Sequence, residues 1–518
     1  MTQENGRDLP EPGRRTILKG AVAAGAALLL PDAVRAAPRR GGTLRVGMPF
    51  NPSSLDPITG RNGPDFNSLF CVYDGLTELD PVTMDVRPGL AKRWTFTDPK
   101  TLLLDLVRDV HFHDGTPFDA DAVKFNLERA KSHRRSSVKS DVASIESIEV
   151  TGKYRVVLHL KGPDAPLPTI LSDRPGLMVS PAAVKKNEDI DRTPVGTGPW
   201  KFVSWEDNDS LVFTRNSGYW RAGLPYFDAV HLSVINDFST LLRSVIANEN
   251  DLALDLLPNQ KPVADLAHNV VTTLTPSVGL FLTYLNISRP PLNDVRVRQA
   301  LNYAVGRNAI NQFASSGLDE PSCAVLPKEH WACDPSTVNY YAHDPDKARK
   351  LLAEAGHPGG IEIPMLGWAD QLSMQRNEAV LSQLSQAGIR VKLTTGSPGA
   401  TASMFFGPAK KGDGRISFWA GRPDPSQVYN DLFSKDAFFN AGRVEVPGFR
   451  ELLDATVVVS ERSARKAAFA KLQQFVIEQA LALPMLCRTI TTVMHPNVKG
   501  LIVGLQGKPA LRETYLSA

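Results

Sequence analysis

The chain is short of cysteine, of long apolar runs and of any excess of one charge. Only 4 cysteines occur in 518 residues, none in a C-x-x-C pair, so thiol–disulfide exchange and zinc ribbons have no support. No stretch of about 18 or more strongly apolar residues follows the N-terminus, so the body of the chain offers no candidate membrane-spanning helix. With 58 basic and 55 acidic side chains the formal charge is only +3, which argues against a partner such as nucleic acid. Signatures of catalysis are missing too: H-E-x-x-H, G-x-S-x-G and G-x-x-x-x-G-K-[ST] do not occur. Gly196-Thr197-Gly198 runs straight into Pro199, so a dinucleotide loop is excluded. No repeat of 20–50 residues appears, and solenoids and propellers drop out.

What is present points to a multidomain globular protein. The length predicts two to four domains at roughly 150 residues each, and 42% hydrophobic residues supply more than one core. Proline, at 39 residues, exceeds the usual ~5% and implies many turns and extended connections.

The first residues read as an address. Arg14-Arg15-Thr16-Ile17-Leu18-Lys19 precedes a small apolar run, Gly20 to Leu30, and then Pro31 to Ala36 with small residues suited to a signal peptidase. A charged region, a short apolar region and a cleavage site make a signal peptide over residues 1–36, cut near Ala36. The paired arginines resemble a twin-arginine signal, although Ile17 leaves a general secretory signal open. The first cysteine is Cys71, so no lipoprotein anchor is expected and the mature protein is placed in a bacterial periplasm.

Strands and helices interleave along the mature chain. Thr43 to Gly47 alternates as a first strand, and Leu102/Leu104/Leu106 and Val156/Leu158/Leu160 mark two more with one buried face. A helix is predicted over about Asp121 to Ala130 and others from Asp294 and over Ala464 to Ala480. Asp344 N-caps a helix that Gly356 ends and Pro358 keeps from resuming. The class is mixed α/β. Cys323 and Cys333 lie ten residues apart in a proline-rich segment, and in an oxidising compartment a disulfide is expected there. Cys71 and Cys487 read as buried small hydrophobes. His111 and His113 share one side of a strand, but with no further ligand nearby they read as a strand-end turn. Lys131, His133, Arg134 and Arg135 read as a solvated helix end.

An ordered set of segments then resembles one family. They are Tyr73-Asp74-Gly75-Leu76-Thr77, Arg87-Pro88-Gly89-Leu90-Ala91 with Trp94, and Phe112-His113-Asp114-Gly115-Thr116-Pro117-Phe118. Pro194-Val195-Gly196-Thr197-Gly198-Pro199-Trp200, Asn293 to Leu301 and Asp424-Pro425 complete it. In this order they resemble the extracellular solute-binding proteins of the peptide/opine/nickel family that serve ABC importers. The resemblance implies an α/β, two-lobed periplasmic binding protein of type II with an additional domain inserted in the N-terminal lobe, and no catalysis. Domain I would comprise 41–58, 187–280 and 489–518, domain II 59–186, and domain III 281–488. Chain crossings are expected near Leu282–Ile287 and Leu483–Arg488, where a few residues absorb the hinge rotation.

The resemblance also directs attention to the ligand. Peptide binders of the family hold an ammonium with an aspartate just after a tryptophan, and here Arg422 follows Trp419 at that place. The stretch matching the carboxylate-gripping arginine of dipeptide binders is Gly367-Trp368-Ala369-Asp370. Arg174-Pro175 resembles an anion-gripping segment of the nickel-chelate branch. Candidate ligand contacts are therefore Arg422, Trp419, Arg174, Trp368 and Arg61, with Tyr284 and Asn286 on the crossing strand. Asp424 is expected to brace its own turn. Guanidinium forks suit carboxylates, because two parallel charge-assisted hydrogen bonds fix orientation as well as charge. The expected role is capture of a small peptide-like or carboxylate-bearing solute and delivery to an inner-membrane permease, as a monomer with no cofactor or metal. A nickel or metal-organic chelate and general oligopeptides are the alternatives, and a secreted hydrolase is a remote one.

Overall fold

Two strands of unusual length, Val271–Leu285 and Ala482–Met494, pair antiparallel in the middle of an 11-stranded sheet. The computed structural model describes residues 38–60 and 65–517; the expected signal peptide and Arg61 lie outside the described residues. On one side of the long pair follow Gly414–Trp419, Ile361–Trp368 and Ile389–Gly396. On the other follow Leu252–Leu256, Thr43–Met48, Ala229–Val234, Ser210–Arg215 and Trp200–Glu206.

Both flanks are built alike. Thr43–Met48 runs parallel to Ala229–Val234 and Leu252–Leu256, and Ile361–Trp368 runs parallel to Ile389–Gly396 and Gly414–Trp419. Parallel neighbours need long crossovers, usually helical. Phe238–Ile246, Gln371–Gln386 and Pro398–Phe406 supply them. The expected α/β class follows from this alternation.

Residues 91–160 form a separate four-stranded antiparallel sheet: Ala91–Asp98, Thr101–Leu106, Arg155–Leu160 and Ile145–Gly152 in spatial order. Leu102, Leu104, Leu106, Val156, Leu158 and Leu160 all turn inward and are buried, as the alternation predicts. They pack in one core with Val123, Leu127 and Ala130 of the helix Ala120–Ser132. Asp119 caps that helix through Ala122 N, giving an orphan N–H its acceptor. Arg129 of the helix pairs with Asp56 at two points, and both side chains are buried. That pair ties the small sheet to the loop after the first strand.

The other helices start where the sequence marks them. Asp294 caps Val295–Ala304 and Asp344 caps Pro345–Glu354, with Gly356 at φ +91° just beyond the end. Arg462–Glu478 buries Phe469, Leu472 and Val476.

The long pair shifts register twice, and the larger break comes first. Pro276 pairs with Thr489 and Leu280 with Cys487, leaving Ser277 to Gly279 as a bulge opposite Arg488. Pro276 has no N–H to continue the ladder. Ser277 Oγ donates instead to Arg488 O (2.7 Å) and Val278 N to Leu505 O (2.8 Å). This break lies before the expected 282–287. A second shift, between Phe281 and Leu282 where Met485 is skipped on the partner strand, lies at the edge of that stretch. Leu282 to Tyr284 are paired on both edges, to Ala482–Pro484 and to Arg415–Ser417.

The expected Cys323–Cys333 disulfide is not formed: all four cysteines are free and buried. Cys323 packs with Tyr341, Ile477 and Ala480, its Sγ 3.8 Å from Tyr341 O. Cys333 lies in a different core, its Sγ 3.8 Å from Leu326 O. Burial pushes the Cys71 and Cys333 thiols up to about 12, which leaves almost no thiolate at neutral pH. A thiol-reactive chromogenic disulfide should find no fast-reacting thiol in the folded protein and all 4 after unfolding without reductant. A count of two after unfolding would reinstate the bridge.

Candidate functional site

A cavity of ≈ 800 Å³ opens where the long strands break. Its walls come from both flanks of the large sheet. Met48 to Phe50, Asp255 and the segment Gln506–Pro509 face Phe281, Trp368, Arg376, Phe418 and Arg422. The volume falls in the range of small-molecule sites, roughly 300–1,000 Å³. Gly279 makes room on the floor, since a Cβ there would stand 2.7 Å from the Phe418 ring.

The lining is amphoteric. Asp141, Asp173, Asp255, Asp319 and Asp370 share it with Arg174, Arg376, Arg422, Arg488 and Lys508. Most of these charges are already engaged. Arg488 lies 2.5 Å from Asp255, Lys508 3.0 Å from Asp173, and Arg422 Nε 2.9 Å from Asp431. Burial raises the Asp173 carboxyl, but Lys508 and Arg174 outweigh it and hold it below its ordinary value. Burial depresses the Lys508 ammonium, which also sits 3.9 Å over the Phe66 ring.

Arg422, Arg174 and Trp368 do line this cavity. Arg422 follows the strand Gly414–Trp419, and its Cζ stands 4.8 Å over the Trp419 ring. Gly421, at φ +78° and packed against Val278, lets the chain turn there. Arg174 donates to Gly60 O and to Ser137 Oγ (3.0 Å). Trp368 ends its strand, with its Nε1 buried and unpartnered.

Three expected contacts lie elsewhere. Trp419 is buried and packs edge-on against Phe439 at 4.6 Å, so it supports Arg422 from behind. Tyr284 is buried between Phe406 and Phe439. Asn286 is buried at the strand end, where its Oδ1 accepts from Ser288 N and Oγ. The cause is the earlier break: the cavity takes Ser277 to Gly279 and Phe281 from this strand, not the residues beyond.

Arg376, Asp319, Lys508 and Arg488 were not singled out from the sequence. Arg376 stands on the helix Gln371–Gln386, which Asp370 caps through Ser373 N (3.0 Å). The signal was there: a cap at Asp370 starts a helix beside Trp368, and an arginine two turns on shares its end of the sheet. Asp319 accepts from Ser315 Oγ (2.5 Å) and Thr489 N (2.8 Å), and burial raises its pKa. Asp424 behaves as expected. It caps Pro425–Phe433 in a capping box with Gln427 and binds Arg465 at 2.8 and 2.9 Å, both side chains being buried.

The flanks also touch across the cleft. Gln427 Nε2 donates to Asp141 Oδ1 (3.0 Å), Ala165 N to Val457 O (2.9 Å), and Arg462 Nη2 to Thr83 O (2.6 Å) while pairing with Asp85. Two carboxyls at this seam are pushed up to about 6. Burial is the main cause at Asp141, where Arg422 opposes it and Asp431 adds to it. Burial dominates at Asp164 too, against the Ser144 hydrogen bond and with Asp424 adding.

A two-lobed mixed sheet with a charged cleft at the strands that join its halves has the architecture of a binding protein. The model of the bacterial extracellular solute-binding proteins, family 5 (Middle), matches residues 85–440. The glutathione-binding protein GsiB of Salmonella choleraesuis (strain SC-B67) is 30% identical over 380 residues, which is 73% of this chain and 74% of that one. The periplasmic binding protein AgaA in complex with agropinic acid matches with a TM-score of 0.81 at 22% identity, over 92% of this chain and 99% of that one. DppA of Helicobacter pylori in complex with the peptide STSA gives 0.81 at 23%, over 93% and 99%. The chain belongs to the bacterial extracellular solute-binding proteins, family 5. Its fold is that of the type II periplasmic binding proteins, and it is a solute-binding component of an ABC importer.

Two tests follow. Asp424→Ala removes a cap and strands Arg465 as a buried cation, so it should cost about 3–5 kcal/mol, read from the denaturant midpoint. Asp141 and Asp164 are easier to protonate in the fold than in the unfolded chain. Their contribution is thus full near pH 4 and is lost as pH rises through about 6. Asp141→Asn/Asp164→Asn should match the parent near pH 4 and exceed it in thermal midpoint above pH 6; an equal difference at both ends would refute the assignment.

Proposed function

We propose that this protein captures a small peptide-like or carboxylate-bearing solute in the periplasm and presents it to the permease of its importer. The observation that carries the ligand class is the amphoteric lining of the cavity, five acids and five bases among apolar and uncharged polar side chains. Such a lining leaves neutral sugars at a disadvantage, because a buried charge must find an opposite partner or remain hydrated. Arg422 and Arg174 approach the ligand from opposite lobes, and Trp368 flanks it. The likeness to glutathione-binding proteins and to a binding protein holding agropinic acid supports a small acid.

In this reading the lobes are 41–58 with 187–280 and 489–518, extended by 59–186, against 281–488. They rotate about the bulge at Ser277 to Gly279 and its partner Arg488. The contacts across the seam belong to the closed form, and a ligand favours closure only by its differential affinity for that form. Export follows the twin-arginine-like signal, with cleavage near Ala36 and release as a monomer.

The test is thermal unfolding of the mature, ligand-stripped protein against plain dipeptides, glutathione, opine-like acids, neutral sugars and nickel with organic chelators. A ligand at 100 times its Kd adds ~2.7 kcal/mol, enough to move the midpoint by a degree or more. Stabilisation by carboxylates is expected. Stabilisation by sugars alone, or only by nickel with a chelator, would overturn the ligand class.

A further inference from the structure

Among the charged groups of the cavity, Arg376 stands apart. Arg174, Arg422, Arg488 and Lys508 each have a protein acceptor or counter-ion. Arg376 has no hydrogen bond and no ion pair among the described residues, and its Nε is buried. What holds it is the Phe281 ring, with the guanidinium carbon 3.6 Å from the centroid; Phe281 in turn leans on Phe418 at 5.1 Å. A cation over an aromatic face is held there by the ring's π-electrons, and no protein acceptor takes its N–H groups among the described residues.

The nearest acids do not serve it. Asp319 is occupied by Ser315 and Thr489, and Asp370 by the helix start. Burial pushes the Arg376 guanidinium down to about 10, against the pull of Asp319 and Asp370, while Arg488 lowers it further. It still carries its charge at neutral pH. Arg376 is half-buried, and its Nε is fully buried without an acceptor; an unmet buried donor costs stability, so packing alone gives no reason for it.

Two further polar atoms of the cavity wall are buried and unpartnered: Trp368 Nε1 and Gln506 Nε2. With Arg376 Nε they are all donors, and they come from both lobes. No acceptor on the wall is left in that state among the described residues. Unsatisfied buried donors call for acceptors, so the ligand must bring them.

We propose that Arg376, held over Phe281, is the anchor for the ligand's carboxylate, with Trp368 Nε1 and Gln506 Nε2 donating to further oxygens of the same ligand. The proposal rests on the ligand class given above and deepens it to a named residue and a named group. A planar fork accepts a carboxylate through two parallel bonds, whereas a lysine offers a point charge. Arg376 is thus a specificity-determining residue.

The experiment uses titration calorimetry on the ligand-stripped mature protein, with reduced glutathione, L-Ala-L-Ala and their C-terminal amides as probes. Wild type should bind an acid at least about 30-fold more tightly than its amide, as expected for a lost hydrogen bond to a charged group. Arg376→Gln should lose that discrimination, and Arg376→Lys should retain part of it; both should keep a cooperative unfolding transition. Equal binding of acid and amide by wild type, or no binding of any probe, would overturn the ligand class itself. Acid preference preserved in Arg376→Gln would overturn Arg376 as the anchor and leave the class intact.

Discussion

Everything in this molecule hangs on the antiparallel ladder between Val271–Leu285 and Ala482–Met494. It is the one pairing that belongs to both halves of the large sheet. Side chains alternate faces along a strand, so a slip of one residue would turn every inward group outward. The bulge at Ser277 to Gly279 interrupts the ladder and is pinned by Arg488 O and Leu505 O. Gly279, in the bulge, and Phe281 face the cavity, while Leu280, Leu282 and Tyr284 on the other face pack into the core of their own half.

Charge is handled differently in the body and in the cleft. Within the halves, buried arginines are fully engaged: Arg129 with Asp56 and Arg465 with Asp424 as ion pairs, Arg298 and Arg307 through backbone and amide oxygens. Arg512 lies within reach of both Glu78 and Asp74. At the seam the pairing is looser. Asp141 meets an amide and Asp164 a hydroxyl, each with an acid of the opposite half near enough to raise its pKa. Acids set against acids favour parting, and hydrogen bonds favour contact.

Much of this architecture is written in local patterns. The alternating leucines of Thr101–Leu106, the caps Asp119, Asp294 and Asp344, and the Asp424 brace follow from period and cap chemistry within a few residues. Family likeness supplied the two-lobed frame and brought Arg422, Arg174 and Trp368 to the cavity wall. Beyond that, local patterns were not enough. The break at Pro276 depends on what Arg488 and Leu505, more than 200 residues on, do with freed backbone groups. Tyr284 looked like a cleft residue because its strand did lead there, but it stands a few residues too far along. The cysteine pair failed for a similar reason: spacing brings two thiols near in sequence, but separate cores draw them apart. Arg376 is the opposite case: the cap at Asp370 places it two turns into a helix beside Trp368, but its bearing on the cavity shows only with Phe281 beneath it.

The last stretch of chain has a consequence for the order of events. Gln506 to Pro509 form part of the cavity wall, and Lys508 there reaches Asp173. Close by, Arg39 bridges to Leu516, bringing the beginning of the described chain beside its end. The small sheet and the parallel flanks can form without this stretch, but the bulge, which Leu505 O pins, and one side of the pocket cannot. Binding competence in this design therefore waits on a segment that lies more than 200 residues from the strand it completes.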